Sequence, residues 1–149
     1  MTDLIALLRR RHTIANSLYL DLLDALPPDR LRARLPGVRS SPVSNHFWCV
    51  VGARESYVRA ARAGSWQGFD CSLADDEDAD QVRAALEQSA AEVDAWLGEL
   101  DPGDADSIEV ALRLLEHETQ HHGQLIRYLY AVPLPVPASW VQRYVLEPE

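Results

Sequence analysis

The chain has 149 residues, 47% of them hydrophobic and 25% charged, the balance expected of one soluble globular domain over 1–149. Its net charge of −9 opposes a phosphate backbone, no basic stripe with interleaved aromatics relieves that field, and no apolar stretch approaches the roughly 18 residues of a membrane span. All 14 basic residues are arginine, which excludes a Schiff-base or P-loop lysine, and two cysteines (Cys49 and Cys71) are too few for a disulfide framework.

The first residues, MTDLIALLRRRH, place arginines after the apolar run, whereas a secretory signal carries them before it, so the expected compartment is the cytoplasm. Helix one is expected over 2–25, with Leu4, Ile5, Leu8, Ile14, Leu18 and Leu22 near helical spacing, and Pro27-Pro28 stops it. Arg9, Arg10 and Arg11 read as its polar side, and His12 among them as a solvent-exposed residue. A short helical piece at 29–35 precedes a turn. Helix two then begins near 42–44, capped by Ser41 or Ser44, and ends at Gly64.

Residues 64–77 form a polar connection containing Trp66, Phe69 and Cys71. The acidic run 75–80 suits the positive end of helix three, expected over 78–100, and lacks EF-hand spacing for calcium. Asp101-Pro102-Gly103-Asp104 turns into helix four, which reaches Tyr130, and an irregular proline-rich tail carries one amphipathic piece at 139–145. The short turn implies that helices three and four are antiparallel neighbours. The connection of about 14 residues after helix two can run back roughly 45 Å, making helices two and three parallel. The expected fold is all-α, a four-helix bundle of up-down-down-up topology.

Helix four contains LLEHETQHHGQLIRYLY, in which His117 and His121 are i and i+4 and project from one face. Two such imidazoles can reach one metal at about 2.0–2.1 Å each. A helical wheel puts Ile108, Ala111, Leu115, Leu125, Ile126 and Leu129 in the buried arc, with Glu118 and His122 inside it. His117 and His121 lie on its flank beside Val110, Leu114 and Tyr128, whereas Arg113, Glu116, Gln120 and Arg127 face water. Four titratable groups in one turn of a buried face need compensation, either by a metal ion or by a His–carboxylate network such as Glu118–His122. His46 is the further candidate ligand, because antiparallel packing of helices two and four brings its level toward the pair.

Three histidines leave coordination positions open, the pattern of a reactive site. Glu118 is the candidate catalytic base or partner of a ligand imidazole. Cys49, three residues after His46, faces the same space or serves as a small core residue. His117-Glu118-Thr119-Gln120-His121 also matches the H-E-x-x-H helix of zinc hydrolases, but Gln124 and Arg127 stand where a metzincin carries Gly and His.

His46 at the start of helix two, H-E-x-x-H-H-G-Q from His117, the Trp66–Phe69 segment and the aromatic tail together resemble the DinB-like (DinB/YfiT) superfamily over essentially the whole chain. His122 occupies a position where many members carry arginine, which opens a role for it as an extra ligand or donor. The resemblance implies a four-helix bundle, often a homodimer, with zinc, nickel or iron on His46, His117 and His121. It further implies a metal-dependent transferase using a low-molecular-weight thiol such as bacillithiol or mycothiol on a small-molecule substrate, in stress response or detoxification. The alternative is a metal-binding stress protein without catalysis. In the enzyme reading, Arg54, Arg59 and Arg127 are candidate cations for an acidic thiol, and Trp140 and Tyr144 either cover the pocket or dock on the bundle.

Overall fold

The computed structural model describes residues 3–147, which fold into five helices with no strand among them. Helix α1 (Leu4–Ala25) is capped by Asp3, whose carboxylate accepts from Ala6 N at 3.1 Å, and ends before Pro27-Pro28. A single 3-10 turn, Pro28–Arg32, buries Leu31 completely. Helix α2 (Val43–Ala63) starts without a side-chain cap. Pro42 occupies that position, and Val43 N–H donates instead to Ala33 O at 2.9 Å. The serine cap expected from sequence is therefore not used, because a tertiary carbonyl already satisfies the first free donor. Gly64, at φ 75°, ends α2 in the left-handed conformation.

Helix α3 (Ala79–Gly98) is capped by Asp78, which accepts from Asp80 N and Gln81 N, so the acidic run serves the helix start. Helix α4 (Ala105–Ala131) is capped by Asp104 through Ser107 N at 3.1 Å. The tail carries α5 (Ala138–Tyr144).

Two core clusters fix the direction of every helix. One joins Leu8 early in α1 to Ala53 and Val58 of α2, Val93 and Leu97 of α3, and Ala111 and Leu114 of α4. The other joins Leu18–Leu26 late in α1 to Val43 and Phe47, Val82 and Leu86, and Leu125 and Leu129. Helices α1 and α4 thus rise from the first end, and α2 and α3 descend towards it. This is the up-down-down-up order that the connection lengths predict. Extended packing runs along α1–α3, α2–α3, α2–α4 and α1–α4, so α3 and α4 sit at diagonal corners and are antiparallel without being neighbours. The expectation of adjacency fails because the six residues between Gly98 and Ala105 can stretch up to about 20 Å, enough to cross the bundle end.

The connection after α2 runs back along that helix, as its length allows. Ser56 Oγ donates to Asp70 O at 3.1 Å and accepts from Asp70 N at 3.0 Å. The Phe69 ring lies so close over Gly52 that a Cβ there would stand 2.3 Å from its Cζ. Leu73 then enters the second core cluster. No helix among the described residues is long and apolar enough to cross a membrane.

Candidate metal centre between α2 and α4

Antiparallel packing of α2 on α4 lines up His46, Cys49, His117 and His121 across one helix interface. His46 Nδ1 lies 2.9 Å from His121 Nδ1, His121 Nε2 lies 3.2 Å from His117 Nε2, and His117 Nε2 lies 3.6 Å from Cys49 Sγ. The ligand atoms of Cys49, His117 and His121 all fall within 4.8 Å of one another. These residues can therefore hold a metal ion.

The spacing suits a tetrahedral ion. Bonds of about 2.0–2.1 Å to nitrogen and 2.3 Å to sulfur give ligand separations of about 3.3 Å between nitrogens and 3.6 Å between nitrogen and sulfur. His117 Nδ1, on the side of the ring away from His121 and Cys49, is buried and has no hydrogen-bond partner among the described residues.

His46 stands at the other end of the row. Tyr128 OH donates to Ser41 O and lies 3.2 Å from His46 Nε2, so it accepts from that nitrogen and leaves His46 Nδ1 with the free lone pair. That lone pair meets Nδ1 of His121, whereas His117 and Cys49 meet its Nε2 side. His46 thus lies against the opposite nitrogen of His121 from His117, so the ligand atoms that converge are those of Cys49, His117 and His121, with His46 as a neighbour of that group.

Burial keeps the imidazoles neutral, the state in which they bind metals. It lowers His46 and His117 below the ordinary histidine value. His121 falls to about 3, by burial first and then by the proximity of His117 and His46. Burial raises the Cys49 thiol, so its conversion to thiolate needs a cation at the site.

Glu118 is placed elsewhere. It is fully buried, and its Oε1 accepts from Arg54 Nε at 3.0 Å and Arg54 Nη2 at 2.5 Å. Its Oε2 lies 3.2 Å from His12 Nδ1, and Tyr19 OH donates to its backbone oxygen at 2.5 Å. Burial alone would raise this carboxyl, but the Arg54 guanidinium and His12 overcome that and hold it at about 2. None of its hydrogen bonds goes to His46, His117 or His121. The structure does not join Glu118 to the cluster it was expected to serve.

His12, expected in water, is 6% exposed. Its Nε2 lies 3.1 Å from Ala111 O and its Nδ1 lies 3.2 Å from Glu118 Oε2. Arg54, offered above as a cation for a cofactor, is 1% exposed and also donates to Asn16 Oδ1, Leu86 O and Ser89 Oγ. The buried His–carboxylate network weighed from sequence does exist, with His12 and Arg54 in place of His122 as partners of Glu118.

His122 is 1% exposed and has its own partners. Its Nε2 donates to Ala15 O at 3.2 Å, so its Nδ1 accepts from Tyr144 OH at 2.6 Å. With both nitrogens committed, it has no lone pair to offer an ion in this arrangement. Burial lowers it to about 4. Trp140 is fully buried against it, donating Nε1–H to Leu18 O at 2.7 Å, so α5 docks on α1 and α4 and leaves the metal cluster uncovered.

The cluster opens along α4. A cavity of about 380 Å³ is lined by His117, Tyr57, Arg113, Glu116 and Gln120. No protein-family model matches the chain, and no curated protein matches it.

Proposed function

We propose that this protein is a divalent-metal enzyme that transfers a low-molecular-weight thiol to a small electrophile. The observation that carries this reading is the meeting of two neutral imidazoles and a thiol, their ligand atoms within 4.8 Å of one another, beside an open cavity. A structural zinc site closes all four positions with protein ligands, whereas an open approach beside His117 suits a centre that admits an outside ligand. The resemblance of His46 and the His117–Gln124 motif to the DinB-like superfamily supports the same chemistry, with zinc, nickel or iron as the ion and a cytoplasmic homodimer as the working form.

When bound, the ion would hold an incoming thiol as its thiolate at neutral pH. The chain's own part is to position and exclude. His117 and His121 offer nitrogen lone pairs, and Tyr128 fixes the tautomer of His46. Tyr57, whose ring lies 6.5 Å from that of His117, shields one side of the approach. In the transfer, sulfur forms a bond to the electrophilic carbon, the leaving group departs with the bonding pair, and the thiol proton passes to solvent. Glu118 acts as a positioning residue that pins α4 to α1 and α2, in place of the base expected from sequence.

The test is incubation of metal-loaded protein with a panel of low-molecular-weight thiols and a chromogenic electrophile. A metal-dependent rate with one thiol, abolished in His117→Ala, is the expected result. Silence across the panel from protein that holds one metal per chain would return the molecule to a metal-binding role without catalysis.

A further inference from the structure

A cavity of about 510 Å³ lies between the end of α2 and the start of α4. Tyr57 and Trp66 line it, their rings 5.8 Å apart at 70°, together with Ala60, Ala61 and Val110. Small side chains on both helices leave the width of the slot. Trp66 remains 56% exposed, although an indole ring gains most by being covered. Arg113 and Tyr57 line both this cavity and the one that reaches His117, so the two adjoin across these side chains.

Distances along α4 give the slot a scale. Asp106 at its far end and His117 are 11 residues apart, about 16 Å of helix, and Arg113 stands about 6 Å before His117. Arg113 is exposed and has no ion-pair or hydrogen-bond partner among the described residues. Asp106 and Glu116 flank it at the two ends, which leaves room for one negative charge beside the guanidinium and opposes a second. A volume of this size takes a ligand of more than one ring.

We infer that this slot binds a planar aromatic monocarboxylate of about two rings, its flat face against Trp66, one edge of the ligand towards Tyr57 and its carboxylate on Arg113. Its carboxylate end then lies about one helical turn of α4 from His117. Only the assignment of this occupant as the substrate's class rests on the proposed function; binding itself needs neither the metal nor the transfer reaction.

Calorimetric titration of metal-loaded protein with 2-naphthoate and with neutral 2-naphthamide separates the two recognition elements. Naphthoate should bind about fivefold more tightly at low salt, the size of an exposed charge pair, and salt should shrink that preference. Arg113→Gln should abolish the preference while leaving naphthamide unchanged, and Trp66→Ala should weaken both ligands about threefold to tenfold. Both side chains are exposed, so neither change removes core packing. Absence of binding, or binding untouched by both substitutions, would overturn the slot. Naphthoate binding that persists in His117→Ala protein stripped of metal leaves the slot standing even if the metal reading fails.

Discussion

Glu118 and His117 are adjacent in sequence and serve different neighbourhoods. The carboxylate is enclosed with Arg54, both groups being about 1% exposed at the side chain, and a buried pair is costly to break from one side. Arg54→Met should therefore destabilise the protein by about 3–5 kcal/mol, read as a lower urea midpoint, because it strands a buried charge. Glu118→Gln should lose stability in the same way while still taking up metal; unchanged stability with lost activity would instead make Glu118 a catalytic base. Cys49 yields a spectroscopic prediction. Cobalt-loaded protein should show thiolate-to-metal charge-transfer absorption that disappears in Cys49→Ser, and its absence from the parent protein would remove the thiol from the ligand set. The i, i+4 spacing of His117 and His121 was legible in the sequence. The partners of Glu118 were legible only in hindsight. His12 falls on the stripe Leu8–His12–Ala15–Tyr19–Leu22, and Arg54 on Phe47–Val51–Arg54–Val58, yet three neighbouring arginines make His12 read as a surface residue and charge makes Arg54 read as a cation for an acidic ligand.

Elements were easier to read than their packing. Each long helix begins and ends within about two residues of its expected bounds, since proline, glycine and capping aspartate act locally. The cap of α2 was not legible in this way, because its first donor bonds a carbonyl ten residues upstream in place of Ser41 or Ser44. Nor was the diagonal placement of α3 and α4, which depends on how the whole bundle closes. Two interactions hold the accessory segments. Trp140 anchors α5, and Trp140→Ala should cost about 3–5 kcal/mol through the cavity left among Leu18, His122 and Tyr144. Gly52→Ala should push Phe69 off α2 and cost about 1–3 kcal/mol, seen as faster proteolysis of the 64–77 connection. Proteolysis at the parent rate would show that the Phe69 contact does not hold this segment, leaving the Ser56 bonds and buried Leu73 to do so.

For the whole molecule, buried histidine and carboxylate act together against acid. His122 stays neutral in the fold down to about pH 4, against 6.5 when exposed, and His121 down to about 3. Between those limits the unfolded chain binds more protons, so stability falls as pH drops below 6.5. Glu118 extends the loss: its carboxylate contributes stability above 4.5, given up as pH falls towards about 2. Urea midpoints of metal-free protein should decline steadily from pH 7 through 5 to 3, and His122→Gln should shrink the decline between 7 and 5. A flat profile over that interval would contradict the neutral, buried state of these rings. That state is also what readies the cluster for an ion, and metal content therefore tests the central claim most directly. Elemental analysis of purified protein loaded with zinc, nickel or iron should find close to one metal per chain, lost in His117→Ala and in His121→Ala and retained in His122→Gln. Full retention in both alanine variants, or no metal in the parent protein, would contradict it.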